Sequence, residues 1–210
     1  MNTPHRHWIR GTPRDSLHSM ARLLTMGMCL IASLVVTAAD TTSTDPTPFF
    51  PGASAFEEDW YASQLRALGE TPLSVTSAPA GPVIRFTWLR SFHHPVVLRL
   101  ERAPDGQWQL RTKIASGAGG YDPGHLAHDR TVPIRRDLAE SVRSHLTRES
   151  FWTAPSQSAT FGADGAQWIL EVRDGAEYHY LDRWSPEKGV VYDVGRQMMT
   201  LSGSDFGSVY

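Results

Sequence analysis

PVVLRLERAPDGQWQLRTKIA, residues 95–115, decides the fold. Two runs rich in β-branched and apolar residues flank Ala103-Pro104-Asp105-Gly106, which places Pro and Gly where a tight turn needs them. In the second run Trp108, Leu110, Thr112 and Ile114 share one face, and Gln107, Gln109, Arg111 and Lys113 share the other. This alternation predicts an antiparallel hairpin with one buried and one solvated face. VIRFTWLR, residues 83–90, has the same character and extends it to a three-stranded meander.

Working outward, Gln167 to Arg173 and Glu177 to Trp184 flank Asp174-Gly175 and predict a second hairpin. Upstream, Ser54 with Glu57 three residues later is a capping box. It opens a predicted helix over 55–68, with Phe56, Trp60, Gln64, Leu65 and Leu68 on its inner stripe and Gly69 as its stop. Between the hairpins, Arg135 to Trp152 has a helical period through Leu138, Val142, His145 or Leu146, and Glu149. Ser185-Pro186-Glu187 is an N-terminal signature ahead of a last helix over about 190–202, which buries Val191, Val194, Met198 and Leu201. The order α-βββ-α-ββ-α, with grouped strands, predicts a single α+β domain. An antiparallel sheet of about five strands carries the helices on one face.

The chain has 210 residues, enough for one domain once its N-terminus is set aside. After Arg22, the sixteen residues LLTMGMCLIASLVVTA carry no charge and end in small residues. That pattern reads as a secretory signal peptide over 1–39, cleaved after Ala38 or Ala39, with either Met1 or Met20 as the start. The stretch falls short of the ~20 residues of a spanning helix, so an uncleaved membrane anchor is the alternative. Cys29 is not preceded by a lipobox, and no twin arginine stands ahead of the stretch, which points to the general secretory route. Residues 40–53 form a Pro/Thr-rich tether, 54–203 the domain and 204–210 a tail. The expected location is the periplasm or the medium.

Residues 1–39 carry four Arg and one Asp, for +3, whereas the remainder carries 16 Lys plus Arg against 21 Asp plus Glu, for −5. An acidic domain argues against nucleic-acid and anionic-membrane partners; the membrane is met only through the signal segment, if uncleaved. Cys29 is the sole cysteine and lies in the signal segment, so the exported domain has no disulfide, no thiol nucleophile and no Cys-based zinc site. Eighteen Arg to two Lys, with Asn2 as the only Asn, is a coding skew, so Arg abundance is not read as phosphate binding.

FWTAPSQSATFGADGAQWILEVRDGAEYHYLDRWSPEKG, 151–189, together with SFHHPVVLRLER and SGAGGYDPG, resembles an uncharacterised family of small exported proteins of gammaproteobacteria such as xanthomonads. The resemblance covers most of the exported chain. It implies a compartment and no known activity.

Four groups of residues are candidates for chemistry. The histidines His93, His94, His125 and His128, with Asp129, fall at loop ends beside the meander. If the first two strands pair, His93-His94 and the start of SGAGGYDPGHLAHD, 116–129, share one sheet edge. His125-x-x-His128 with Asp129 is a candidate metal pair on one helical turn, a metal ion being the one cofactor considered. The glycines of 116–129 suggest an anion cradle or, more simply, a tight turn; neither a dinucleotide nor a P-loop fingerprint is present. Glu171, His179 and Arg183 form an acid–base cluster if their strand faces coincide. The tryptophans belong in the core, with Trp184 the one expected to be partly exposed. No G-x-S-x-G or H-E-x-x-H is present.

These observations favour an exported, non-enzymatic binding domain whose partner is an unknown envelope protein or small ligand, in the manner of an immunity or inhibitor protein. Tyr121, Asp122, His93, His94 and Trp184 are its candidate contacts. The alternatives are a metal or small-ligand binder using the His93/His94/His125/His128 edge, and a hydrolase using Glu171 and His179.

Overall fold

VIRFTWLR forms β1 (Val83–Arg90), and all eight of its residues are buried. The computed structural model describes residues 47–76, 81–158, 162, 164–207 and 209, so the segment read as a signal peptide and the first half of the expected tether lie outside the described residues. β1 pairs antiparallel with β2 (Val96–Arg102) on one side and β5 (Ala166–Asp174) on the other. β3 (Trp108–Ala115) follows β2 and β6 (Glu177–Trp184) follows β5, and both hairpins are as the sequence predicts. The fold is α+β with one antiparallel sheet, in the order β4-β3-β2-β1-β5-β6.

The sixth strand, β4 (Leu126–Ile134), is one more than the sequence suggested. It pairs with β3 through backbone bonds, and nearly all its side chains are exposed. LAHDRTVPI has no apolar alternation to betray a strand. Its charges, its Pro133 and the register shift at its start suit an exposed edge that must not pair further.

The two faces of the sheet are covered differently. Ile84, Phe86 and Trp88 of β1 join Leu98, Leu110, Trp168 and Leu170 in a large core. On this core lie α2 (Arg136–Ser144), through Ala139 and Val142, and α3 (Val190–Ser202), through Val191, Val194 and Met198. Gly195 lets α3 lie flat, because a Cβ there would stand 2.7 Å from the Phe86 ring. α1 (Ala55–Ala67) packs on the opposite face, with Tyr61, Ala62 and Leu65 against Val97, Ile169 and Tyr180. The helices therefore cover both faces, not one, and the polar face of the meander is solvated only in part: Gln107 and Arg111 are exposed as expected, while the end near α1 is covered. Its Arg85 and Lys113 are buried because they pair with Glu171 and Glu70, which offsets the cost of taking the charges out of water.

Three boundaries also move. Phe49 and Phe50, placed in the tether by composition, are buried against α1 and the sheet, so the domain begins before Ser54. In the tail, Phe206 stands edge-on to Trp88 and its carbonyl accepts a bond from Arg90 Nη1 at 2.8 Å. The helix predicted over 135–152 is split: α2 ends at Ser144, and Thr147 caps a separate π-helical turn, Arg148–Trp152. Ser150 bonds both the Thr147 hydroxyl and the His145 carbonyl, so local side-chain bonds displace the helical ladder. Ser185-Pro186-Glu187 stays non-helical, and α3 starts after Gly189.

Candidate functional site

The capping box of α1 forms as the sequence indicates, with Glu57 N donating to Ser54 Oγ and Ser54 N to Glu57 Oε2. The buried stripe of α1 runs through Glu57, Tyr61, Gln64 and Leu65. It is rotated by one residue from the predicted stripe, and Phe56 is left 74% exposed. Phe56 packs on Trp60 at 6.0 Å, and both rings stand at the mouth of a cleft of about 440 Å³. The wall opposite comes from the glycine loop through Tyr121, and the far side from Trp184 at the end of β6. Glu57 and Gln167 supply its polar groups.

The glycine loop is a backbone structure that presents Tyr121. Ser116 N, Gly117 N and Ala118 N donate to the carbonyls of His125, Pro123 and Asp122, and Gly119 N and Gly120 N donate to those of His93 and Ser91. These amides are all used internally, so the loop does not form an anion cradle. Its glycines answer close approach: a Cβ on Gly117 would overlap the Asp122 carbonyl, and one on Gly119 would stand 2.7 Å from Leu89 Cα. α1 clamps the loop from above, with Trp60 Nε1 donating to Gly119 O at 2.7 Å and Gln64 Nε2 to Tyr121 O at 2.8 Å. Phe92, 61% exposed, lies 6.0 Å from the Tyr121 ring.

Beneath the cleft runs a polar seam. Glu57 Oε2 accepts from Ser54 Oγ and from Gln157 Nε2. Burial pushes the Glu57 carboxyl upward, but the bonds from Ser54 and Gln157 hold it below the usual carboxylate range. Gln167 Nε2 and Tyr61 OH both donate to Asp182. Burial nonetheless raises the Asp182 carboxyl to about 6 against these bonds, with the Glu57 charge adding to the rise.

A carboxyl raised on folding stabilises the fold fully below its unfolded value of 3.8, and that contribution is lost as the pH climbs through about 6. A shift of this size corresponds to about 3 kcal/mol. Urea unfolding between pH 4.5 and 7.5 should therefore show Asp182→Asn gaining on the wild type as pH rises, with the gap levelling above pH 7. A gap that does not change with pH would remove the buried carboxyl as its cause.

Of the residues singled out in the sequence, Tyr121 and Trp184 line the cleft. Asp122 does not; its Oδ1 accepts from Gly124 N and shapes the turn. His93 and His94 sit at the β1–β2 connection beside the glycine loop, as the shared edge requires, with His94 Nδ1 2.8 Å from Gly117 O. They are exposed and lie outside the cleft lining. His125 and His128 do not lie on a helical turn. His125 precedes β4 with its Nδ1 3.0 Å from Ser116 Oγ, and His128 is within β4, where extended backbone separates residues three apart. Asp129 is engaged by Arg111 at 2.7 and 2.5 Å. Among the described residues no group of three His, Cys, Asp or Glu side chains could hold a metal.

The Glu171–His179–Arg183 cluster does not form. Glu171 is opposite Tyr180 and His179 is opposite Val172, so the antiparallel register puts Glu171 and His179 on opposite faces. Glu171 is held by Arg85, and His179 Nε2 lies 2.9 Å from Ala154 O against the Phe151 ring. Arg183 donates to the carbonyls of Pro155 and Ser156 and braces that segment.

Sequence reading missed Phe56, Glu57, Trp60 and Gln167 as site residues. Glu57 carried a signal, but as a helix cap; nothing in the sequence showed that its carboxylate also borders a cleft. No protein-family model matches the chain, and no curated protein matches it significantly.

Proposed function

We propose that the chain is a non-catalytic binding domain working outside the cytoplasm, and that the aromatic cleft is its binding site. The observation that carries this reading is the cleft itself. Its volume of about 440 Å³ lies within the range of small-ligand sites, ~300–1,000 Å³, and four aromatic side chains border it. Phe56 and Tyr121, 74% and 66% exposed, are large apolar rings left in water beside it, as on surfaces that meet a ligand or partner. Binding is favoured over turnover because most polar side-chain groups at the cleft hold structural bonds: Glu57 Oε2 with Ser54 and Gln157, Gln167 Nε2 with Asp182, and Ser91 Oγ with Gly165 O at 3.2 Å. The export signal read from residues 1–39 and the likeness to small exported gammaproteobacterial proteins support the compartment. Among the described residues no helix is long and apolar enough to cross a membrane.

Ligand-observed NMR of a fragment library tests the reading. Fragments that bind the wild type should lose binding to Phe56→Ala and Tyr121→Ala, changes at exposed positions that the fold tolerates. Hits indifferent to both substitutions would place binding elsewhere and sink the proposal.

A further inference from the structure

We propose that the cleft takes a small organic cation, its ammonium head set among the rings of Trp60, Tyr121 and Trp184 and its charge answered by Glu57. This deepens the binding reading above and rests on it. Among the described residues that border the cleft, Glu57 is the one charged side chain, and no Lys, Arg or His is present. Glu57 Oε2 takes the cap and Gln157 bonds, while no bond is made to Oε1 among the described residues, leaving one carboxylate oxygen for a ligand. Asp182, below Gln167, adds negative potential as it ionises. Aromatic faces carry negative quadrupole potential, so rings and carboxylate act in the same direction: they attract a cation and repel an anion. A sugar would want several hydrogen-bonding groups around its ring. Here the polar side chains other than Glu57 are Ser91, Gln167 and the polar tips of the aromatic residues, and Ser91, Gln167 and Trp60 already hold structural partners.

The position of Glu57 makes the idea testable without loss of the fold. Gln is as acceptable as Glu at the third position of a capping box, so Glu57→Gln keeps the cap and removes the charge.

The probes are choline, phenethylammonium and 3,3-dimethyl-1-butanol, the last being the neutral carbon isostere of choline. Binding is read by tryptophan fluorescence and calorimetry on the purified protein. At least one cation should saturate, with choline about ten-fold or more tighter than its isostere if the head group is quaternary. Glu57→Gln should weaken the bound cation about ten-fold, with unfolding unchanged. Tyr121→Ala should weaken it as well, and Tyr121→Phe should not. Equal binding of choline and the isostere, both sensitive to Tyr121→Ala, would overturn cation selectivity and leave the binding reading intact. Failure of both cations while a disaccharide such as cellobiose binds would overturn the inference in favour of a sugar. Failure of every probe, with no rim-dependent fragment, would overturn both.

Discussion

Arg85→Met is expected to cost the domain about 3–5 kcal/mol, the penalty typical of breaking a buried ion pair from one side. Arg85 is fully buried in the central strand. Its guanidinium grips Glu171 with two bonds, Nε to Oε2 at 2.6 Å and Nη2 to Oε1 at 2.7 Å. Nη1 donates to Thr71 O at 2.7 Å and to Glu70 Oε2 at 3.2 Å. Glu171 has no exposed surface, and among the described residues its remaining side-chain hydrogen-bond donor is the Tyr178 hydroxyl at 3.1 Å. Removal of the cation thus leaves a carboxylate out of water with one neutral donor. Glu70 suffers less, because Lys113 at 2.7 Å and Arg99 at 3.2 Å also serve it. Burial pushes the Glu70 carboxyl upward, and Arg85 with these two cations brings it below its ordinary value.

For a domain of this size such a loss should lower Tm by about 6–20 °C. The double substitution Arg85→Met with Glu171→Leu should recover much of it, because an apolar pair needs no compensation. Thermal unfolding of the two variants checks both statements. A single variant within about 1 kcal/mol of wild type would mean that water reaches the cluster and the pair contributes as a surface pair does.

Phe50→Ala should cost about 3–5 kcal/mol, as for other large aromatic deletions in a core. Phe50 is 1% exposed and meets the rings of Tyr61 and Tyr180 edge-on, at 5.5 and 5.3 Å. Phe49 beside it lies under the guanidinium of Arg85, 5.8 Å from ring centroid to Cζ. Glu58 of α1 fixes both residues by accepting from their backbone amides at 2.8 and 2.9 Å. The segment before Ser54 is therefore a lid on the ion cluster, and its loss exposes Arg85 and Glu171 as well as opening a cavity. Urea unfolding of Phe50→Ala measures this, and a loss under about 1 kcal/mol would return the segment to the status of a tether.

Tyr121 and Trp184 were legible as site residues because each is an aromatic residue next to a turn. The cleft was not legible, because its wall depends on the one-residue rotation of α1 that turns Phe56 outward and Glu57 inward. Helical period alone fixes that angle only loosely. The Glu171–His179 idea failed on parity, which a shift of one residue in hairpin register decides.

By itself the sequence determined the strands β1, β2, β3, β5 and β6, α1 and α3, and the antiparallel hairpins. Each is written in alternation, in a turn or in a cap within a few neighbouring residues. Tertiary structure alone decided which helix covers which face, that LAHDRTVPI completes the sheet, and that Phe49-Phe50 belongs to the core. The polar face of the meander shows why. Lys113 reads as part of a solvated face because polar residues alternate along its strand, and Glu171 reads as the partner of His179. Whether such charges meet water or each other depends on β1 pairing with β5, which brings together Arg85 and Glu171 from 86 positions apart. Local pattern records which side chains share a face, and long-range pairing determines what that face meets.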